Sequence, residues 1–422
     1  MITRPPRQSP RNLSRRLCVA LVLLLALLSL AACVKEAAPP PPAPPDKPRA
    51  ALEVVPDDQW PPLLDDLDAD SFFAACQQSL EYLRRLPTDR SLDYGPLQYR
   101  PAEVMAGLAR IRDILARAPD PVQRAAALKR DFVLLRSVGS DGQGAVLMTG
   151  YYEPVLPGRR APQPPYVHPL YGLPDDLVAF DLRELCRVFA LQADCESLPA
   201  RRLVAQVANN RLGRYPDRKA IDFEGAIRGK AKPLAYLDDL VEQFFLHIQG
   251  SGQVVFPDGS RVRLGYLGAN GHPYRSIGKL LIEQGLMTKD QMSMQNIKRL
   301  LSERPELRQA VLSQNPSYVF FRELPAQGGP PGALGVPVTA GRSIAVDRKL
   351  FPDAAPGFIS GYRPAPGGAA VGFSRFILAQ DAGGAIRGPG RLDLFFGSGQ
   401  AAGELAGRMK HDGRLYFFAP RR

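Results

Sequence analysis

Three aspartates near the C-terminus carry the most chemical promise. In Gln380-Asp381-Ala382-Gly383-Gly384-Ala385-Ile386 an apolar run delivers a carboxylate to its end, and Gly383 and Gly384 leave room for a substrate behind it. The same Asp-Gly-Gly pattern is ordinary hairpin chemistry, so the local reading stays double. Asp393 lies inside Arg391-Leu392-Asp393-Leu394-Phe395, where a charge is out of place unless it faces something polar. Asp347 ends Ser343-Ile344-Ala345-Val346 and reads equally well as a turn-capping residue. Carboxylates converging at the edges of short strands raise at least one pKa among them, and burial does the same. A carboxylic acid still protonated near neutral pH is what glycosidic cleavage requires.

Polar and aromatic groups suited to sugar contacts lie upstream. Thr149, Tyr151 and Tyr152 sit on one strand-like run, and alternation lets at most one of the two tyrosines face a sugar. Gln249, Ser251 and Gln253 offer amide and hydroxyl groups, although a polar cap and a turn explain Ser251 as well. Arg275 and Lys279 are cations suited to carboxylate partners. His247 and His272 stand nearest to these motifs, and each reads best as a structural histidine. Neither CxxC nor a Cys/His ligand cluster occurs, so no metal or organic cofactor is expected.

The elements that position these residues change character along the chain. Residues 70–137 read as helices: Val104, Met105, Leu108, Ile111 and Leu115 recur at helical spacing behind Pro101, and Leu128, Phe132 and Leu135 follow Pro121. Ala145–Tyr151 reads as a strand, and turn-rich sequence follows to about residue 232. A helix is predicted from Asp239 to Ile248, a hairpin around Pro257-Asp258-Gly259, and two more helices between Ser276 and Leu312. Strand-like runs at Val319–Arg322, Ser343–Asp347, Phe373–Gln380, Leu392–Phe396 and Leu415–Phe418, split by Gly and Pro, indicate a small β-barrel. The expected fold is mainly β with helices. A catalytic body of residues 51–152 and 314–422 carries an inserted, β-rich substrate-binding domain, 153–313, with a groove between the two.

The N-terminus reads as a targeting segment. Arg4, Arg7, Arg11, Arg15 and Arg16 precede an apolar run, Leu17–Leu30, and Ala31-Ala32-Cys33 closes it. The run is short of the roughly 20 residues of a membrane span; an uncleaved signal anchor is the competing reading. Residues 1–32 are expected to be removed, and residues 33–50 form a Pro/Ala-rich linker that favours an extended course. The chain has 54 Lys and Arg against 42 Asp and Glu, and a modest positive excess remains without the five leader arginines. That balance suits an acidic polymer without identifying one. Nucleic acid is not an expected partner. Cys76, Cys186 and Cys195 lie in the body, and an oxidising compartment would permit a Cys186–Cys195 bridge.

Taken together and in order, several of these motifs resemble a known family. Met148-Thr149-Gly150-Tyr151-Tyr152-Glu153-Pro154, Phe244–Gly252, Tyr274–Gly278 and Asn315–Phe321 look like membrane-bound lytic murein transglycosylase A. Asp347, the Asp381 motif and Asp393 look like its three-aspartate domain, and Leu30–Cys33 resembles a lipobox. The resemblance implies a double-psi β-barrel with an insertion, and peptidoglycan strands as partner. It implies Asp381 as the single acid cutting the β-1,4 bond between N-acetylmuramic acid and N-acetylglucosamine, leaving a 1,6-anhydromuramyl end, with Asp393 in support. It also implies acylation of Cys33, and Val34-Lys35 after it points to the periplasmic face of the outer membrane. Two other readings stay open: a water-using hydrolase on the same scaffold, and a non-catalytic wall-binding lipoprotein.

Overall fold

The computed structural model describes residues 51–422 apart from 119, 191–193, 199–201, 326–327 and 366–369. The leader, Cys33 and the linker lie outside the described residues.

Eight strands form the principal sheet: β1 (Leu52–Val54), β2 (Phe132–Ser137), β3 (Val146–Glu153), β4 (Ser343–Ala345), β5 (Pro356–Pro364), β6 (Ala370–Asp381), β7 (Arg391–Ser398) and β8 (Lys410–Pro420). Their order is β1-β2-β8-β5-β6-β4-β7-β3, and β8 also pairs with β3. That second pairing closes six strands, β8-β5-β6-β4-β7-β3, into a barrel, with β2 and β1 continuing from β8. The β4–β6 and β7–β3 pairs are parallel, the others antiparallel. Closure removes the free edges that short strands would otherwise expose. Phe358, Ile377, Leu378, Leu392, Leu394, Leu415 and Phe417 fill the core and are fully buried.

Helices α1 (Ala69–Arg84), α2 (Pro101–Arg117) and α3 (Pro121–Asp131) pack against this core. Pro101 opens α2, and Val104, Leu108, Ile111 and Leu115 are its buried face, as their spacing predicts. Asp68 caps α1 by accepting from the Ser71 amide at 2.8 Å. The fully buried Arg342, just before β4, reaches both Asp65 oxygens at 3.0 and 2.8 Å and the Asp68 carbonyl at 2.7 Å. This ties the start of α1 to the barrel; removing one partner of such a buried pair costs about 3–5 kcal/mol.

The second body holds a four-stranded sheet ordered Val319–Leu324, Arg261–Ala269, Ser251–Val255, Val155–Pro157. Two smaller sheets join it, together with helix α4 (Leu240–Gln249) and the helices Ile277–Glu283, Met294–Glu303 and Arg308–Leu312. Gly250 ends α4 at φ 74°, a left-handed cap that glycine adopts without strain. Cys186 and Cys195 are disulfide-bonded.

The structure differs from the sequence expectation in four places. Phe132–Ser137 is strand β2, because pairing with β8 and β1 overrides a spacing that also fits a helix. A short hairpin, Leu92–Tyr94 with Leu97–Tyr99, interrupts the helical segment. Val319–Leu324 pairs with Arg261–Ala269 and so belongs to the second body, not to the barrel. Barrel strand β5 carries Pro356, Pro364, Gly357 and Gly361, a composition that reads as turn when its two partner strands are unknown.

Candidate active site

Sheet register brings four of the expected residues onto one face. Ala345 on β4 lies opposite Asp381 on β6 and opposite Asp393 on β7, and Asp393 lies opposite Thr149 on β3. Directly opposed residues share a face, and Tyr151, two residues after Thr149, shares it too. The small side chain of Ala345 leaves the space between the two carboxylates open. A β-bulge between Ile344 and Ala345 makes Gln380 the extra residue and moves Asp381 into register. Gln380 is fully buried: its amide nitrogen donates to the Ala75 carbonyl at 2.7 Å, and its oxygen accepts from Ser343 Oγ at 2.6 Å.

Three donors hold the half-buried Asp381. Tyr151 Oη donates to Oδ2 at 2.7 Å, and the amides of Ala333 and Ala382 donate to Oδ1, each at 2.8 Å. These bonds and the Arg348 charge favour the carboxylate, but desolvation outweighs them and its pKa lies above the ordinary value. Desolvation likewise pushes Asp393 up to about 7; Thr149 and Arg391 oppose this, and the Asp381 charge adds to it. Tyr151 is raised well above its usual pKa by burial and then by the Asp381 and Asp393 charges, so it remains a proton donor. Its ring packs 5.1 Å from Phe395.

The Ala333 amide comes from a tight loop over Asp381 that sequence reasoning missed. Gly332 N donates to the Val336 carbonyl and Val338 N to the Pro330 carbonyl, both at 2.9 Å. A Cβ on Gly332 would stand 2.6 Å from the Gln380 carbonyl and 3.3 Å from Asp381 Cγ. The signal was the run Gly328-Gly329-Pro330-Pro331-Gly332, which reads only as a separator between strands.

The remaining expected residues have other surroundings. Asp347 is buried and accepts from the Lys349 amide at 3.2 Å and the Gly388 amide at 3.0 Å, tying the loop beyond Asp381 to the end of β4. Gly383 and Gly384 lie in the turn after Asp381; a Cβ on Gly384 would meet nothing within 4 Å. Tyr152 departs from the sugar-stacking expectation. Its ring is buried against Gly403, Ala402 and Ala406 of helix α5 (Gln400–Arg408), because alternation turns it away from the Tyr151 face.

Gln249 Oε1 accepts from the Tyr152 amide at 3.1 Å, and Gln253 donates to Glu153 Oε2 at 2.8 Å, so both join the inserted body to β3. Ser251 opens its strand opposite Gly265. Arg275 is exposed, its amide donating to Asn315 Oδ1 at 3.1 Å; no hydrogen bond or ion pair joins it to the Asp381 cluster among the described residues. Sequence reasoning also passed over Glu153, which is fully buried. It accepts from Ser398 Oγ at 2.6 Å and from Arg263 Nε at 2.8 Å, where β3 leaves the barrel.

His247 and His272 are structural. His247 stacks on Phe321 at 5.4 Å, and burial, with the Arg218 charge, holds its pKa well below the usual value. His272 Nε2 lies 2.7 Å from the Tyr215 carbonyl. Among the described residues no group of His, Cys, Asp and Glu is arranged to hold a metal ion, and no helix is long and apolar enough to cross a membrane.

Comparison with known proteins gives a consistent set of relatives. The family described as the MltA specific insert domain matches residues 147–322, and the 3D domain matches residues 342–419. The membrane-bound lytic murein transglycosylase A of Vibrio cholerae is 33% identical over 284 residues, 66% of each chain. That of Escherichia coli K12 is 35% identical over 283 residues, 66% of this chain and 67% of the relative. Among solved structures, a membrane-bound lytic murein transglycosylase from Agrobacterium tumefaciens superposes with TM-score 0.71 at 32% identity, covering 88% of this chain and 98% of that one. Escherichia coli MltA with bound chitohexaose gives TM-score 0.67 at 27% identity, covering 89% and 96%.

Proposed function

Since this chain belongs to the membrane-bound lytic murein transglycosylase A family, we propose that it cleaves peptidoglycan glycan strands by lytic transglycosylation, with Asp381 as its acid and base. The observation that carries this reading is the Asp381 carboxyl, fixed by three donors and desolvated so that its proton is retained above the ordinary carboxylate range. Oδ1 already accepts two backbone amides, so Oδ2 is the oxygen with capacity to deliver a proton.

Asp381 protonates the oxygen between N-acetylmuramic acid and N-acetylglucosamine as the C1–O4 bond breaks. The same carboxylate then takes the proton of the muramyl C6 hydroxyl as its oxygen bonds to C1. The products are a 1,6-anhydro ring and a free 4-hydroxyl; no water is consumed and the proton returns to Asp381. An intramolecular nucleophile supplies its own proximity, so one carboxylate suffices. An ionised Asp393 disfavours loss of the Asp381 proton, through the same coupling by which the Asp381 charge raises the Asp393 pKa. The glycan lies along the junction where β3 passes from the barrel to the inserted body; that a glycan is the ligand is in keeping with the chitohexaose bound by the Escherichia coli protein. Acylated Cys33 anchors the enzyme to the outer membrane, and the linker after it lets the body reach the wall.

One observation favours water as nucleophile. Asp381 and Asp393 flank a single intervening strand, which sets their Cα atoms roughly 10 Å apart, a spacing that an inverting pair of carboxylates could use. Product analysis decides: the full chain and Asp381→Asn are incubated with purified peptidoglycan, and the ends are identified by mass. Anhydromuramyl ends from wild type, and a loss of about 10²–10⁴-fold in the variant, are expected. Reducing ends would establish hydrolysis, and binding without products a wall-binding lipoprotein.

A further inference from the structure

Arg391 and Asp393 stand two residues apart on β7 and on the same face, beside Thr149 and Tyr151. Asp393 Oδ1 and Arg391 Nε are both covered by protein, and neither has a hydrogen-bond partner among the described residues. Leaving such groups unsatisfied costs about 1–3 kcal/mol each. Both side chains keep partial exposure, and Arg391 Nη2 makes a long 3.5 Å contact to Thr149 Oγ1. A ligand that reaches these partly exposed side chains can therefore satisfy both atoms. The proton cycle described above engages neither of these two atoms, since Asp381 recovers its own proton and Asp393 acts on it only through charge.

An acceptor and a donor on same-face neighbours, with Cα atoms roughly 7 Å apart along the strand, match the two ends of a secondary amide. We propose that Arg391 and Asp393 form a subsite for a secondary amide of the glycan beside the scissile bond, Asp393 Oδ1 accepting its N–H and Arg391 Nε donating to its carbonyl oxygen. The proposal rests on the glycan reading above. Two substrate groups share this chemistry: the 2-acetamido group of either sugar, and the lactyl-peptide amide of the muramyl residue alone.

The test compares binding ratios, using the full chain with Asp381→Asn to prevent turnover. The ligands are chitohexaose, which has acetamido groups and no lactyl group; cellohexaose, which has hydroxyls in their place; and peptide-bearing peptidoglycan strands. In Arg391→Met the preference for chitohexaose over cellohexaose is expected to fall by about ten- to a hundredfold, the worth of a hydrogen bond to a charged group. A collapse confined to the preference for peptidoglycan over chitohexaose would assign the lactyl amide. Asp393→Asn, which keeps an acceptor oxygen, should retain more of the preference than Asp393→Leu. Arg391→Lys keeps the charge without Nε and serves if Arg391→Met fails to fold. Equal weakening on all three ligands, or none, would overturn the subsite. Absence of binding to any glycan by a folded protein would instead remove the glycan reading itself.

Discussion

At Asp381 two opposing effects meet, and burial wins. Tyr151, Ala333 and Ala382 all donate to the carboxylate, yet its pKa stays above the ordinary value because solvent is largely kept from it. The pH dependence follows with its sign. With Asp381 as the proposed acid, activity is expected to need its protonated form and to be lost as pH rises through its pKa. Tyr151→Phe removes a bond that favours the anion, so the alkaline limb should move to higher pH, while kcat falls by about tenfold as the carboxyl is held less firmly. A limb that moves down in a pH–rate profile would contradict the bond's role. Asp393→Asn works in the other direction. The Asp381 charge raises the Asp393 pKa, and by the reciprocity of that coupling an ionised Asp393 raises that of Asp381, so removing it should shift the limb to lower pH; an unchanged profile would end the supporting role proposed for Asp393.

Among the elements, a bulge and a loop do the positioning. Without the extra residue between β4 and β6, Gln380 would stand opposite Ala345, and Asp381 would turn toward the core. The Pro330–Val338 loop then supplies the Ala333 amide, and Gly332 can approach Asp381 only because it lacks a Cβ. Gly332→Ala should displace the loop or the carboxylate and lower kcat by up to about 10²-fold, with KM little changed and the melting temperature near that of wild type. Steady-state kinetics beside thermal melting test this; a wild-type kcat would mean that the loop is not required.

For the whole molecule, the connection between barrel and inserted body runs through β3. Its last residue, Glu153, is fully buried with Arg263 at 2.8 Å, Gln253 at 2.8 Å and Ser398 at 2.6 Å, so both bodies contribute to one ionic junction. Glu153→Gln leaves the Arg263 charge poorly compensated and should destabilise the protein by about 3–5 kcal/mol in denaturant unfolding. Because β3 also carries Thr149 and Tyr151, KM should rise more than kcat falls. A loss below about 1 kcal/mol would mean that solvent enters the junction.

The sequence by itself determined what local chemistry and periodicity encode. The α1–α3 helical segment and the hairpin around Asp258 were legible, because capping residues, apolar spacing and glycine placement act over a few neighbours; the Asp381 motif stayed double when read locally. Tertiary structure decided which partners those segments meet. Phe132–Ser137 is a strand because β8 and β1 flank it, and Val319–Leu324 belongs to the inserted body because Arg261–Ala269 pairs with it. Tyr151 donates to the acid while Tyr152 packs on α5, and Asp347 ties down a loop. Such roles depend on register and closure between residues far apart in the chain, 230 positions for Tyr151 and Asp381, and no local pattern records what lies across a sheet.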